Sequence, residues 1–356
     1  METRFLGKSG LQVSVLSMGT MTFGRDHPFF GKMGKVSGED ADRMIGMAVD
    51  AGVNLFDSAD VYSAGQSEEV LGQALKPHRD NVLIATKAYA RMGNGPNDLG
   101  NSRQHLVKAV EASLRRLQTD RIDLMQIHGQ DLHTPVEETM RALDDLIGAG
   151  KVRYIGASNH SAWQMMKSLA TSERLGLERF ISHQVYYSLI ARDVENEMVP
   201  MGLDQGLGML VWSPLSGGLL SGKFRRDQPA PENTRTSALG APGTIDDEHL
   251  YGVIDELVAI SLERNAKPSQ IALSWLLSKP GVSSVIVGAR NEAQLAENLG
   301  AAAIILTANE VEKLDAASAL PAPFPYWHQR QYAAERNPQP EPYIRRPDLI
   351  DEEKER

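Results

Sequence analysis

The chain has 356 residues, of which 42% are hydrophobic, 6% aromatic and 23% charged, a globular composition that excludes a disordered chain. A net charge of -9 and a pI near 5.5 argue against a sequence-independent grip on nucleic-acid phosphates, which needs a basic face. Cysteine is absent, which removes disulfides and thiolate chemistry; with no apolar leader in METRFLGKSG and no run of 18 apolar residues, a soluble cytoplasmic protein without membrane or nucleic-acid partners is expected.

Two apolar runs around Gly7 to Gly10, in RFLGKSGLQVSVL, read as a β-hairpin. SMGTMTF is then a first strand ending in Gly24, followed by a Gly- and aromatic-rich loop from Arg25 to Gly38. Met44, Ile45, Ala48 and Val49 space an apolar face along a helix from Asp40 to Ala51. From there a rhythm sets in. Strand VNLFDSA leads to helix SEEVLGQAL, with Ser67 as its N-cap and acids in its first turn. Strand NVLIATKA, a Gly-rich loop from Met92 to Gly100 and helix SRQHLVKAVEASLRRL follow. Strand IDLMQIH precedes PVEETMRALDDLIGAG, a helix with Pro135 at its start and Gly150 past its end. Then come strand VRYIGASN with helix SAWQMMKSLATSERLG, strand RFISHQVYYSL with a short helix from Asn196 to Leu203, and a seventh strand, GMLVWSPL. A loop from Ser216 to Asp247 exceeds the usual connection, a length that more often marks a functional segment than a random insertion. Helices EHLYGVIDELVAISLERN and SQIALSWLLS precede the eighth strand, SSVIVGA, its helix NEAQLAENLG, and a closing helix from Asn309 to Leu320.

Apolar strands that lack polar alternation and are separated by helices indicate a parallel sheet covered on its outside. Eight such units with no break in composition predict an α/β fold closed into a (β/α)8 TIM barrel over residues 1–320, its N-terminal end plugged by the hairpin. Residues 321–356 carry seven prolines and form a C-terminal tail. Within it PFPYWHQRQY is aromatic enough to pack over the barrel rim, and the stretch ending in DEEKER is expected to be mobile.

In such a barrel the reactive groups stand at the C-terminal ends of the strands. Asp57 ends the second strand, Lys87 the third and His128 the fourth, and Tyr62 lies on the loop after the second. Neighbouring strands lie about 4.8 Å apart, so the four side chains can converge. A phenol with a pKa of about 10 exchanges protons poorly near neutrality, and an ammonium in contact with it favours the phenolate. Asp57 would keep Lys87 charged and aimed, His128 would hydrogen-bond a substrate oxygen, and Tyr62 would be the proton donor. Each also has a structural reading: Tyr62 as a loop residue, Asp57 as the partner of Lys87 alone, His128 as a hydrogen-bonded core residue. Lys87 in VLIATKA resists one, because burying an unpaired ammonium is costly.

GTMTFG, NLFDSADVYSAGQSEEVLGQAL, ATK, IDLMQIH, GASN, QVYYSL, WSPLSGGLLSGK and GARNEAQLAENL stand in the order and spacing of the aldo-keto reductases, which the chain resembles over residues 1–320. The resemblance implies Tyr62 as proton donor, Lys87 as the partner that lowers its pKa, Asp57 as the orienting carboxylate and His128 as the group that orients the carbonyl. It further implies hydride transfer, in either direction, between a reduced nicotinamide, usually NADPH, and a small-molecule aldehyde or ketone. Ser158, Asn159 and Gln184 would hold the carboxamide, and Trp212 would stack on the nicotinamide where Tyr is frequent. Gly19, Thr20, Met21, Ser213 and Pro214 would line the cofactor together with Asp57. By position, Met21, Phe23, Tyr89, the loop from Gly129 to Thr134 and Trp327 would line a fairly apolar substrate pocket.

No G-x-G-x-x-G follows a strand, so another phosphate cradle is required. GGLLSGKF, from Gly217 to Phe224, has P-loop spacing, but Phe224 stands where Ser or Thr must hold magnesium. The same small residues and Lys223 can instead wrap the pyrophosphate of a dinucleotide, as the resemblance implies for the backbone from Leu215 to Leu219. Gly288 and Arg290 precede a helix on which Gln294 and Asn298 lie four apart on one face. A guanidinium beside that N-terminus suits a phosphate monoester, which favours NADP(H) over NAD(H).

Two rivals accompany this reading. A metal-dependent barrel hydrolase would draw on His128, Asp131 and His133, but it wants convergent ligands from several strands and leaves Lys87 and Tyr62 unexplained. A nicotinamide-binding regulatory subunit is the second, since potassium channel beta subunits share the fold and keep the four residues. No long N-terminal inactivating segment precedes the barrel, so a free-standing enzyme is expected, with the substrate and homo-oligomer formation left open.

Overall fold

The computed structural model describes residues 1–25, 27–226, 228, 229, 231, 236, 240 and 246–343. Strands β1 (Thr3–Phe5) and β2 (Gln12–Ser14) pair antiparallel, with Thr3 opposite Ser14. Eight parallel strands follow: β3 (Leu16–Gly19), β4 (Leu55–Asp57), β5 (Leu83–Ala88), β6 (Ile122–Ile127), β7 (Val152–Ser158), β8 (Ser182–Tyr186), β9 (Gly208–Trp212) and β10 (Val282–Val287). They close in chain order, β10 pairing with both β9 and β3. Outside them run α1 (Glu39–Asp50), α2 (Gln66–Leu75), α3 (Arg103–Leu117), α4 (Val136–Gly148), α5 (Ala162–Leu175) and α6 (Val194–Gln205). The series continues with α7 (Asp247–Glu263), α8 (Pro268–Leu277), α9 (Glu292–Leu299), α10 (Ala308–Ala317) and, in the tail, α11 (Tyr326–Tyr332). The predicted (β/α)8 barrel with its hairpin is the fold of the chain.

Successive residues of a strand point to opposite faces, so every second side chain enters the barrel. Leu55, Ala85, Leu124, Leu210 and Ile286 form one inward layer, packed against Leu6 and Val13 of the hairpin. Two residues further along four of these strands stand Asp57, Lys87, Gln126 and Trp212. The apolar layer is therefore the floor of a polar one. Outward residues of the same strands, such as Phe56, Ile84, Met125 and Val211, join the large core beneath the helices. With both faces buried, the strands read as continuous apolar runs, and the inward alternation is hidden in the sequence.

The hairpin closes the floor by close contact. Leu6 is fully buried, which stabilises by roughly 1.5–3 kcal/mol. Gly7, at φ 63, presses on the chain before β9: a Cβ there would lie 2.3 Å from the Gly206 carbonyl oxygen. Lys8 donates its amide to that same oxygen at 2.8 Å, and Arg4 donates to the carbonyls of Leu277 and Val282.

Two local expectations are corrected. The first barrel strand stops at Gly19 and does not run to Gly24, because the Thr20 amide turns to the Asp57 carbonyl and the Phe23 amide to that of Thr20. Ser67 is not an N-cap: α2 is preceded by Gly65 at φ 95, and Ser67, inside the first turn, donates its hydroxyl to the Thr20 carbonyl at 2.7 Å. After β9 the chain makes a short 3-10 turn, Ser216–Ser221, and much of the long loop beyond it lies outside the described residues, as does the DEEKER end. The tail meets α6 through the Tyr326 hydroxyl, which donates to Glu197, and continues to the floor, where the Tyr343 ring covers the Arg4 guanidinium at 3.8 Å. Among the described residues no helix is long and apolar enough to cross a membrane.

Candidate active site

Lys87 points inward from β5 with no exposed surface, and its Nζ donates to Asp57 Oδ1 at 2.5 Å and to the Ser58 carbonyl at 2.7 Å. Asp57 Oδ2 accepts from Gln126 Nε2 at 3.1 Å and from Gln184 Nε2 at 2.9 Å. Burial by itself would strip the proton from this ammonium. The Asp57 carboxylate and the Tyr62 hydroxyl outweigh burial and hold Lys87 above its ordinary value. Sequence reasoning missed Gln126; its signal was an amide in the apolar run IDLMQI, directly opposite Lys87 in the β5–β6 register.

Tyr62 opens a 3-10 turn, Tyr62–Gly65, and its hydroxyl bonds to Lys87, whose Nζ is 5.2 Å from the ring centroid. His128 follows β6 directly and meets the Tyr62 ring edge-on, 5.9 Å away at 79°. Burial, reinforced by the Lys87 ammonium, pushes His128 down to about 3. Its imidazole is thus neutral above that pH and carries one N–H for donation. The expected result is a kcat profile with no His128 limb between about pH 5 and about pH 8, where an ordinary histidine would titrate. A limb near the ordinary histidine value that disappears in His128→Gln would contradict it.

Asp60 is buried beside this group, its amide donating to the Lys87 carbonyl at 3.1 Å. Among the described residues neither carboxyl oxygen meets a hydrogen-bond donor in good geometry, and the adjacent Val61 amide only partly offsets the burial. Burial, then the nearby Glu68 carboxylate, pushes Asp60 up to about 8 from an ordinary 3.8. The folded chain keeps a proton that the unfolded chain releases, so this group's contribution to stability falls as pH rises from about 4 to about 8. Asp60→Asn removes the titration. Urea denaturation is expected to show the variant more stable at pH 8 by on the order of a few kcal/mol, with a smaller gap at pH 5. Equal pH slopes in variant and wild type would refute the assignment.

Tyr62, Asp57 and His128 open onto a cavity of about 430 Å³. Gly19, Thr20, Met21, Ser158, Asn159, Gln184, Trp212, Ser213, Pro214, Leu215, Gly217 and Lys223 also line it, as do Gly288, Arg290, Gln294 and Asn298. Four expected residues and the loop from Gly129 to Thr134 do not line it; that loop is organised instead by the bonds to Asp131. Phe23 is fully buried in the helix–barrel core, bridged to Val36, because the chain turns at Thr20. Leu219 points into the core from its 3-10 turn. The Tyr89 ring lies against Gly129, so close that a Cβ there would be 2.9 Å away. Trp327 is 45% exposed beside Phe324 and His328, because the tail turns down past α6. In their place Thr22, Met33, Ser269 and Glu297 line the cavity, of which the sequence carried no local signal.

Gln294 and Asn298 each bond the chain before α9 with one group, the first accepting from the Arg290 amide at 3.0 Å, the second donating to the Gly288 carbonyl at 3.2 Å. Arg290 Nε donates to the Met33 carbonyl at 2.8 Å. After β9, Ser213 and Ser216 hold φ of 52 and 48, a conformation rare outside glycine and concentrated at ligand sites. Trp212 stacks on Tyr186, 4.9 Å apart at 28°, and among the described residues its buried indole N–H has no partner. This donor set, an aromatic face, side-chain amides and hydroxyls, and two cations with a helix N-terminus, fits the parts of a nicotinamide dinucleotide. Phe224 is buried in the core after a 3-10 turn where a P-loop needs a helix with its Ser or Thr. Asp131 accepts the amides of Asn101, His133 and Thr134 and the Thr134 hydroxyl, so its oxygens organise the loop. Among the described residues no three His, Asp or Glu side chains gather as a metal site.

The model of the aldo/keto reductase family matches residues 15–319. The chain belongs to the aldo/keto reductase family. It is 38% identical over 328 residues to the probable voltage-gated potassium channel subunit beta of Oryza sativa subsp. japonica, covering 89% of this chain and 96% of the relative. The versiconal hemiacetal acetate reductase of Aspergillus parasiticus is 36% identical over 335 residues, covering 88% and 96%. The uncharacterized oxidoreductase YrpG of Bacillus subtilis is 34% identical over 317 residues, covering 86% and 92%. The aldo/keto reductase chain is accordingly an oxidoreductase acting on a small molecule.

Proposed function

We propose that the protein is a cytoplasmic, NADP(H)-dependent aldo-keto reductase that interconverts an aldehyde or ketone and its alcohol, with Tyr62 as the general acid and base. The observation that carries this reading is the buried ammonium of Lys87, bonded on one side to Asp57 and on the other to the Tyr62 hydroxyl, beside a neutral His128. A reduced nicotinamide bound along Trp212, Ser158, Asn159 and Gln184 would supply the hydride. Tyr62 gives its phenolic proton to the carbonyl oxygen, and Lys87 stabilises the phenolate left behind. His128, uncharged, donates its N–H to the same oxygen and orients it. Asp57 keeps Lys87 protonated, and Gln126 and Gln184 keep Asp57 from turning away. In the reverse direction the phenolate accepts the alcohol proton.

Arg290 and the α9 N-terminus favour the 2′-phosphate of NADP(H). Arg290→Ala is expected to weaken NADPH about 10- to 100-fold, the scale of one charge-assisted phosphate contact, and NADH little. Fluorescence titration with both nucleotides checks this, and equal losses would refute it. A spectrophotometric screen of aldehydes, ketones and alcohols with both nucleotides tests the activity itself. Similarity to the rice channel subunit supports a second reading, a nicotinamide-binding regulatory subunit. Tight NADPH binding with no turnover across the screen would favour that reading.

A further inference from the structure

The proton transfer described above makes no use of Phe30, yet its ring centroid is 5.7 Å from that of Tyr62, tilted by 58°. Among the described residues Phe30, His128 and the Lys87 ammonium flank the Tyr62 ring. Tyr62 needs such lateral contact, because its own turn is irregular, with Ser63 and Ala64 at φ 48 and 54. Phe30 is itself fixed. It opens a 3-10 turn, Phe30–Lys32, and the amides of Phe29 and Phe30 both donate to His27 Nδ1 at 3.2 Å. The rings of His27 and Phe29 each lie 5.1 Å from that of Phe30. Beyond the turn, Arg290 donates to the carbonyls of Met33 and Lys32, at 2.8 and 3.4 Å.

We propose that Phe30 is a positioning residue for the proton donor: held by His27 at the start of its loop and by Arg290 at the end, its ring keeps the Tyr62 phenol against Lys87. The proposal rests on the reading of Tyr62 as the acid and adds a loop to the machinery. Arg290 lines the cavity as well, so the group assigned to the nucleotide phosphate and the support of the proton donor share one segment of chain.

Three measurements test it: kcat for benzaldehyde with NADPH, NADPH affinity by fluorescence, and the titration of the Tyr62 phenol. The phenol is isolated as the ultraviolet difference between each protein and the same protein carrying Tyr62→Phe. Phe30→Ala is expected to lower kcat about tenfold, the scale of one lost aromatic contact, with NADPH affinity unchanged. Its phenol should titrate at higher pH, because the ring is freer to leave the ammonium. Phe30→Tyr keeps the ring and should restore both. His27→Ala should give a smaller loss of the same sign, restored by His27→Asn, whose amide oxygen accepts the same backbone donors. If Phe30→Ala fails to fold, Phe30→Leu takes its place with the same expectations. Unchanged kcat and phenol titration would overturn the proposal, as would a loss that Phe30→Tyr does not restore or one confined to NADPH affinity. Where benzaldehyde is not turned over, the phenol titration alone decides. Full turnover in Tyr62→Phe overturns the reductase reading itself, whereas loss there with none in Phe30→Ala overturns only the positioning role.

Discussion

Tyr62→Phe is expected to lower kcat by about 100- to 10,000-fold, the contribution of a positioned general acid, while leaving NADPH affinity unchanged. The substitution deletes one oxygen. It keeps the ring that meets Phe30 and His128, and Lys87 retains its bonds to Asp57 and the Ser58 carbonyl. The loss should therefore fall on the chemical step, reading as a drop in kcat and kcat/KM together with little change in binding. Steady-state oxidation of NADPH, paired with fluorescence titration of the nucleotide, separates the two. Near-normal turnover would remove Tyr62 from its assigned place.

Lys87→Met is expected to cost both activity and stability. Methionine approximates the volume but brings no charge, so the phenolate loses its stabilising ammonium and kcat falls on the same scale as in Tyr62→Phe. The carboxylate of Asp57 stays buried with two amide donors and no cation, and breaking such a pair costs about 3–5 kcal/mol. Adding Asp57→Asn removes the stranded charge. The double variant should recover most of the stability and none of the activity, a non-additivity that urea denaturation measures directly. A single variant as stable as wild type would show that Asp57 is not held as a charge by Lys87.

These two expectations draw on different levels of information. Tyr62, Lys87, Asp57 and His128 were legible in the sequence because each breaks a local pattern: a carboxylate, an ammonium and an imidazole at the ends of apolar strands, and a phenol just past one. The eight-fold strand–helix rhythm was legible for a related reason, since strands buried on both faces must be apolar throughout. Residues without such a pattern were misplaced. Phe23 and Tyr89 were assigned to the pocket by position along the chain, but the turn at Thr20 buries Phe23, and Tyr89 packs against Gly129. Trp327 looked like rim packing over the substrate, and the tail carries it past α6 instead.

The sequence by itself determined the barrel and set a carboxylate, an ammonium, an imidazole and a phenol at or just past its strand ends, because period and strand-end position are local properties. Only the tertiary structure decided what surrounds them. Gln126 and Gln184 reach Asp57 from strands 69 and 127 residues away, and Phe30 reaches Tyr62 from a loop that is separate in the chain. Such contacts arise from barrel closure and from side chains filling the space left over, and neither leaves a repeat or spacing in the residues that take part.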